Sequence, residues 1–336
     1  MAQRLPAARP CRAGRQHLPA LAPLRRGPTS AFSRLPAVGL TGIIHFRDRQ
    51  SGQLVPESIP AESALRWFYQ SRLGFLCTLF CARRASFCQL YGWWQERPSS
   101  RQRITPFAAR YQLDLTEVEL PPDQYPSFNA FFSRRLKPEA RPFAQEPEAL
   151  CAPTDGKVLV CPCLGTSTLL PVKGALVSVA QILDSQQDAR HYAGGSALVV
   201  RLAPYDYHRF HFPDSGQAGP ARYLGRKYHS VNPLALEREP RIFALNRRVL
   251  TFLDSDHFGR LSYVEVGAFA VGSMVQTYTP GSVARGQEKG YFQFGGSTLV
   301  LFFEPGRVVF DADLICDSAQ GLEVHVKTGS RIGQQP

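Results

Sequence analysis

The sequence predicts an α+β protein, with a helical N-terminal region followed by a mostly β catalytic domain. From about residue 148, short runs rich in Val, Leu and Phe alternate with Gly and Pro turns, which is typical of strands. Upstream, two longer apolar stretches, 62–94 and 107–135, have a helical character. Because 44% of the residues are hydrophobic and 20% are charged, the chain is expected to be globular.

We divide the chain into three parts: a disordered basic leader at 1–40, a helical region at 41–145 and a β-rich domain at 146–336. Residues 1–50 contain nine Arg and one Asp, so they carry +8 of the formal net charge of +12. A leader rich in Arg, Pro and Ala resembles an organellar transit peptide, whereas its proline density favours a solvated bacterial tail or a start codon placed too early. Since most of the excess charge lies there, we expect no nucleic-acid partner.

The stretch 62–94 combines aromatic residues with arginines, among them Trp93 and Trp94. It is too charged to cross a bilayer, and no uninterrupted apolar run of about 18 residues occurs, so no transmembrane helix is predicted. Aromatic rings flanked by Arg suit a helix that lies at the depth of the lipid headgroups. The alternative is a helical pair that packs on the following domain.

The β-rich part begins after proline-punctuated helical sequence. Eight cysteines occur without a Cys-x-x-Cys pair, which favours reduced, buried thiols over a metal site. Strands are predicted at 157–160, 197–202, 249–253, 261–266, 299–303 and 308–310.

Gly295, Gly296 and Ser297 precede the predicted strand at 299–303. Two glycines permit a sharply turned peptide, in which the serine hydroxyl could attack the preceding carbonyl in an N→O acyl shift. Taken alone, the motif is equally the signature of an ordinary turn.

Two further segments contain residues suited to chemistry. His208 and His211 lie three residues apart and could bind a metal, act as general base and proton donor, or be ordinary histidines. In a strand they would face opposite sides, so a turn or loop is needed for both to reach one site. Asp155 precedes a glycine and could simply cap a turn. Together with a histidine and Ser297 it could also form a base-activated nucleophile, although sequence spacing cannot show this.

Taken together, these segments resemble the phosphatidylserine decarboxylase family over roughly residues 42–330. Many members carry Leu-Gly-Ser-Thr, and this chain has Gly295 in place of the leucine, which is similar to a bacterial branch that lacks a transmembrane anchor. The resemblance is carried, in order, by Phe128–Pro142, the Asp155 turn, Tyr207–Pro213, Val266–Ser273 and Lys289–Thr298.

The resemblance implies that the chain cuts itself between Gly296 and Ser297 into chains of about 1–296 and 297–336. Ser297 would be the nucleophile and would become a covalent pyruvoyl group, the cofactor. His211 would be the base, and Asp155 the residue that orients it. His208 would act near the substrate during decarboxylation, and no metal would be needed.

The implied reaction converts phosphatidylserine to phosphatidylethanolamine and CO2 through a Schiff base to the pyruvoyl group. The implied binding partner is phosphatidylserine in anionic membranes. The two cleavage chains would form a heterodimer, and a higher homo-oligomer is left open. The expected location is peripheral, on the cytoplasmic face of the cell membrane, or alternatively a mitochondrial or plastid inner membrane. A decarboxylase of another seryl phospholipid or of a small amino acid, and a non-catalytic membrane-binding β module, remain alternatives.

Overall fold

The computed structural model describes residues 45–57, 93–165, 168–172, 175–225, 247–267, 274–293 and 297–336. The predicted leader, residues 62–92 of the predicted interfacial segment, and Gly295 and Gly296 lie outside the described residues. Of the cysteines inside them, Cys151 and Cys161 are buried free thiols, and Cys163 and Cys316 are exposed free thiols.

The described chain is dominated by short strands, and every strand predicted from the sequence is present. The strands are β1 (His45–Asp48), β2 (Leu54–Pro56), β3 (Ala149–Cys151), β4 (Gly156–Cys161), β5 (Leu169–Val172), β6 (Ala175–Ser178), β7 (Ser196–Leu202), β8 (Arg209–His211), β9 (Gly216–Ala218), β10 (Arg222–Leu224), β11 (Arg248–Ser255), β12 (Gly259–Val266), β13 (Met274–Gln276), β14 (Gly281–Val283), β15 (Glu288–Phe292), β16 (Ser297–Phe303), β17 (Val309–Phe310), β18 (Val324–Val326) and β19 (Arg331–Gln334).

The helices are short, and together with the strands they confirm the α+β class. They are α1 (Ile104–Arg110), α2 (Phe128–Phe132), α3 (Val179–Leu183), α4 (Gln186–His191) and α5 (Ala312–Ala319), with 3-10 turns at Pro98–Arg103, Pro122–Gln124 and Pro138–Ala140. The predicted helical stretch 107–135 is therefore broken, because its prolines cannot donate the backbone hydrogen bonds of a continuous helix. The Ser127 side chain accepts from the Ala130 N–H and begins α2.

The large sheet positions the rest of the domain. Within the described ranges it has 11 strands in the order β14-β9-β11-β12-β16-β7-β4-β18-β1-β2, with β10 paired to β11. β16 lies in the middle of this order, antiparallel to both β12 and β7. All seven of its residues are buried, as a strand covered on both faces requires, which explains its nearly unbroken apolar sequence.

The first two strands lie in the region predicted to be helical. β1 pairs in parallel with β18 and antiparallel with β2, so this segment extends the large sheet. Arg47 fixes it through two hydrogen bonds to the Asp317 carboxylate of α5, at 2.6 and 3.1 Å. The amino-terminal end of the described chain therefore belongs structurally to the β domain.

Two separate cores lie on the two faces of the large sheet. Because side chains alternate along a strand, Ser297, Leu299 and Leu301 share one face of β16. On that face Leu299 and Leu301 pack in a core with residues of a three-stranded sheet, β13-β15-β8. On the other face Val300 packs with residues of α3. Ser297 thus points towards the space between the large and the small sheet.

The helical segment has a small core of its own, which includes Ile104, Phe128 and Phe131. It meets the β domain through Phe132, whose ring stacks on His208 with 3.9 Å between the ring centroids. The helical region is therefore packed directly on one of the candidate site residues.

Candidate active site

Ser297 begins β16, opposite Leu202 of β7. The residue is fully buried, and among the described residues its Oγ has no hydrogen-bond partner. Buried hydroxyls in proteins are normally hydrogen-bonded, because leaving one unpaired costs free energy. No described contact therefore commits this hydroxyl to holding the fold.

His208 is connected to the end of β7 that lies beside Ser297. Its Nε2 is 3.1 Å from the carbonyl oxygen of Ala203, which directly follows Leu202. A carbonyl can only accept, so Nε2 carries the hydrogen and Nδ1 of the neutral ring is a bare acceptor. Nδ1 is buried and has no partner among the described residues. Burial lowers the pKa of His208 to about 3, so the ring is neutral near pH 7.

His211 lies at the end of β8 and has a different set of partners. Its Nδ1 is 3.0 Å from the Gly286 carbonyl oxygen, so Nδ1 carries the hydrogen of the neutral ring. Its Nε2 then accepts from the Tyr207 hydroxyl at 3.3 Å. Burial lowers the pKa of His211, and the contact with Gly286 works against that shift. A backbone carbonyl therefore fixes the tautomer of this histidine.

Asp155 is buried and fully hydrogen-bonded, and its partners are not histidines. Arg141 donates to both carboxylate oxygens, from Nε at 2.9 Å and from Nη2 at 2.7 Å. The Thr328 N–H and hydroxyl donate at 2.8 and 2.6 Å. Burial alone would raise the pKa of Asp155, but Arg141 and Thr328 hold that pKa below its ordinary value. Among the described residues no hydrogen bond joins Asp155 to His211, although the Asp155 charge favours the protonated form of His211.

A cavity of about 290 Å³ lies between the helical segment and the β domain, next to these residues. Asp155, Lys157, Asp206 and Tyr207 contribute to its wall. The Lys157 ammonium lies 3.3 Å from the Asp206 carboxylate, which also accepts from the Ala203 N–H at 2.6 Å. The cavity therefore adjoins the same loop that holds His208.

A buried ionic cluster lies on the face of the large sheet to which Ser297 belongs. The Lys289 Nζ is 2.5 Å from Glu265 Oε1 and 2.7 Å from Gln276 Oε1, and both charged residues are fully buried. Burial lowers the pKa of Lys289 and raises the pKa of Glu265. Glu265 is opposite Leu299, so it is a diagonal neighbour of Ser297 on that face.

Sequence reasoning missed these supporting residues. Arg141 lies inside the Phe128–Pro142 motif, but sequence reasoning assigned it no role. Glu265 and Lys289 are 24 positions apart in the chain. Pairing of a strand residue with a distant cation becomes visible only when the strand register is known.

The fold and the site define an enzyme domain with a buried serine hydroxyl that has no described partner, two neutral histidines, and a polar cavity whose wall includes Asp155 and Tyr207. The family model described as phosphatidylserine decarboxylase matches residues 128–334, which include Asp155, both histidines and Ser297. The chain belongs to the phosphatidylserine decarboxylase family, as the sequence motifs predicted.

Curated relatives cover most of the chain. The phosphatidylserine decarboxylase proenzyme of Chlamydia muridarum is 43% identical over 86% of this chain and 97% of its own length. The proenzymes of Desulfitobacterium hafniense and Ruminiclostridium cellulolyticum are 39% and 38% identical, each over 87% of this chain and 98% and 97% of their own lengths.

The buried ion pair generates a prediction about stability. Lys289→Met leaves the Glu265 carboxylate buried without its cation, so we expect the free energy of unfolding to fall by about 3–5 kcal/mol. Urea unfolding of the full chain carrying Ser297→Ala measures this. Removing both charges, in Lys289→Met with Glu265→Gln, should recover most of the loss. Lys327→Met, which affects a half-exposed pair with Glu117, should cost about 1 kcal/mol or less. A double variant no more stable than Lys289→Met alone would contradict the pairing.

The burial of His208 generates a prediction about acid sensitivity. Its pKa is about 3 in the folded protein and about 6.5 in an unfolded chain, so between these values the unfolded state binds more protons. Stability is therefore fully present above pH 6.5 and is lost as the pH falls towards 3. From pH 7 to pH 5 the loss attributable to His208 is about 2 kcal/mol.

Urea unfolding at pH 7 and pH 5 tests this prediction in the Ser297→Ala chain with and without His208→Gln. The chain with His208→Gln should lose about 2 kcal/mol less of its free energy of unfolding between the two pH values. The pKa of His211 is also lowered by burial, but His211 is present in both proteins, so its effect cancels in the comparison. His45→Gln at the exposed end of β1 is the matched control and should behave as the parent. An equal loss in the parent and in His208→Gln would show that His208 is not held neutral.

Proposed function

We propose that the protein decarboxylates phosphatidylserine to phosphatidylethanolamine and CO2, using a pyruvoyl group that it makes from Ser297 by cutting the chain between Gly296 and Ser297. The observation that carries the proposal is the unpartnered, buried Ser297 hydroxyl at the start of the central strand, inside the segment that matches the family. The near full-length likeness to proteins named as proenzymes supports the self-processing.

The residues around Ser297 fit such a group. A free hydroxyl with a buried neutral imidazole nearby suits a nucleophile and its base. When formed, a pyruvoyl group supplies an electron sink for the electrons left by the departing carboxyl group. The cavity beside the His208 loop provides a polar space for a charged substrate headgroup.

Self-cleavage requires a base at the Ser297 hydroxyl. The oxygen attacks the Gly296 carbonyl carbon, the C–N bond breaks and an ester forms, while the base takes the hydroxyl proton. In the elimination that follows, a base removes the Cα proton of residue 297 and the bond between its Cβ and the ester oxygen breaks. A Cα=Cβ double bond forms in residue 297, and the carboxylate of Gly296 is released. Addition of water to the residue left behind, with loss of ammonia, gives the pyruvoyl group. Since no metal ligand set is needed for any of these steps, the protein's own bases carry them.

Either of two histidines could act as the base that activates Ser297. By resemblance His211 activates Ser297, Asp155 supports it, and His208 serves decarboxylation. In support, the Gly286 contact keeps His211 Nε2 free of hydrogen, and Asp155 acts on His211 through its charge. His208 has an Nδ1 without a described partner and a hydrogen bond to Ala203, next to the residue opposite Ser297. These contacts support a role for His208 near residue 297 both in self-cleavage and in decarboxylation.

We further propose that the enzyme works as a heterodimer of its two cleavage chains, peripherally bound to anionic membranes on the cytoplasmic face, with a mitochondrial or plastid inner membrane as the alternative. Within the described ranges, no helix has the length and apolar character to cross a bilayer. Trp93 and Trp94 are 51% and 44% exposed, which supports a surface role for the end of the 62–94 segment. The guanidinium groups of Arg97 and Arg103 each lie 3.9 Å above one of these rings. Such Arg–Trp pairs combine apolar surface with positive charge, as an interfacial surface requires.

Self-cleavage gives the first test. Purified protein should contain a fragment of about 40 residues, beginning at position 297 and ending at 336, whose amino terminus is blocked by a ketone. Ser297→Ala should stay full length because it lacks the hydroxyl. Denaturing mass spectrometry reports both the cut and the mass of the modified residue. Processing of Ser297→Ala at the same bond would refute the assignment.

The same assay separates the two histidines. His211→Ala and Asp155→Ala should accumulate uncut chain, whereas His208→Ala should be cut more normally and decarboxylate phosphatidylserine poorly. Normal cutting and turnover of His211→Ala would exclude it as the base. If His208→Ala stays uncut while His211→Ala is cut normally, His208 and not His211 is the base for self-cleavage.

Membrane binding gives another test. Replacing both Trp93 and Trp94 by Ala should weaken sedimentation with phosphatidylserine-containing vesicles, because apolar ring surface is lost, while self-cleavage continues. High salt should release part of the parent protein, since the arginines act through charge. The matched control replaces exposed Leu115 and Leu120 by Ala. Equal vesicle binding by the parent and the tryptophan variant would exclude this surface.

A further inference from the structure

Arg134 is a buried cation that forms no direct ion pair with a carboxylate in the part of the chain that the structure describes. It follows α2, and only 5% of the residue is exposed. Its Nη2 donates to the Tyr205 carbonyl oxygen at 3.1 Å and, more weakly, to that of Asp206 at 3.5 Å. Nη1 is buried and has no hydrogen-bond partner among the described residues. The Asp155 and Asp206 carboxylates act on Arg134 through their charge, but each is already paired directly with another cation.

The other cations around the same cavity are paired. Arg141 is bonded to Asp155, Lys157 lies 3.3 Å from Asp206, and Lys327 lies 3.2 Å from Glu117. An arginine stays charged at any physiological pH, and a buried charge without a direct ion pair is costly. Of these four cations, only Arg134 lacks a direct ion pair. An anion that bound beside it would supply the missing partner and offset the cost of burying its charge.

The position of Arg134 connects this charge to the candidate active site. It contributes to the wall of the 290 Å³ cavity, as Asp155 and Tyr207 do. The carbonyl groups that it holds belong to Tyr205 and Asp206, in the loop between Ala203 and His208. Arg134 therefore lies within one short loop of the histidine that is bonded to the end of β7.

Resting on the proposed function, we propose that Arg134 binds the phosphodiester of a serine phospholipid headgroup in this cavity. A guanidinium matches the geometry of phosphate oxygens and can donate two parallel hydrogen bonds to them. The phosphodiester is unchanged by the reaction, so binding it tightly does not oppose chemistry. A strong ion pair with the carboxylate would stabilise the group that must be lost, and so would slow decarboxylation.

Binding can be measured without turnover in the full-length Ser297→Ala chain. The probe is glycerophosphoserine, which has the headgroup but no acyl chains, followed by isothermal titration. Arg134→Gln should weaken its binding at least tenfold, equivalent to about 1.4 kcal/mol. Arg135→Gln, the same change at the exposed neighbouring position, should bind as the parent does.

Competition identifies the group that Arg134 holds. Inorganic phosphate should compete with glycerophosphoserine in the parent and should compete less in Arg134→Gln, whereas free serine should compete weakly in both. Undiminished binding by Arg134→Gln, or competition by serine as strong as that by glycerophosphoserine, would overturn the proposal. If Arg134→Gln does not fold, Arg134→Lys retains the charge without the forked donors. Its binding should fall at least threefold, and unchanged binding would overturn the proposal.

The proposed function has a separate readout. In the chain that retains Ser297, Arg134→Gln should cut itself normally and show a raised KM for phosphatidylserine with a smaller change in kcat. Absence of decarboxylation by the parent would refute the proposed function, while Arg134-dependent binding of glycerophosphoserine would still stand.

Discussion

The pairing of β16 between β12 and β7 is the constraint on which the rest of the domain depends. Seven consecutive ladder positions with β7, from Ser297 opposite Leu202 to Phe303 opposite Ser196, leave no freedom in the register. A shift by one residue would turn Ser297 away from the small sheet and would expose Leu299 and Leu301 to the wrong core. The position of a single hydroxyl is therefore determined by the burial of the whole strand.

Charge inside the domain follows a second rule. Asp155, Asp206 and Glu265 are all buried, and each is matched by a cation from a distant part of the chain. Such pairs contribute less to net stability than to the choice of one arrangement, because a mispaired charge in the interior is expensive. The pairs of Asp155 and Asp206 lie at the wall of the cavity, whereas backbone carbonyls determine the tautomers of the two histidines. Arg134 differs from the other three cations around the cavity, because its described hydrogen bonds go to backbone carbonyl groups and not to a carboxylate.

Sequence reasoning predicted six of the nineteen described strands, and each of these six is an apolar run bounded by turn residues, as at 197–202 and 299–303. It did not predict short polar strands such as β9 and β14, which have no apolar periodicity. Its assignment of Ser297 and His208 to a common site came from motif resemblance rather than from spacing, and it stays a prediction. It could not predict that Asp155 is bonded to Arg141 and Thr328, because the three positions come from separate segments. Nor could it predict that His45–Asp48 joins the large sheet, since four residues of mixed polarity show no usable periodicity.

The location of the start of β16 has a consequence for assembly. A cut before Ser297 leaves a fragment that supplies the central strand, together with β18, which lies between β4 and β1, and β19, which pairs with β3. Such a fragment cannot leave without dismantling the large sheet. Once denatured, however, the two pieces would have to find each other, and recovery would depend on concentration. The uncut chain would fold with its pieces tethered, so the proposed cut would make refolding harder for the processed protein than for the uncut chain.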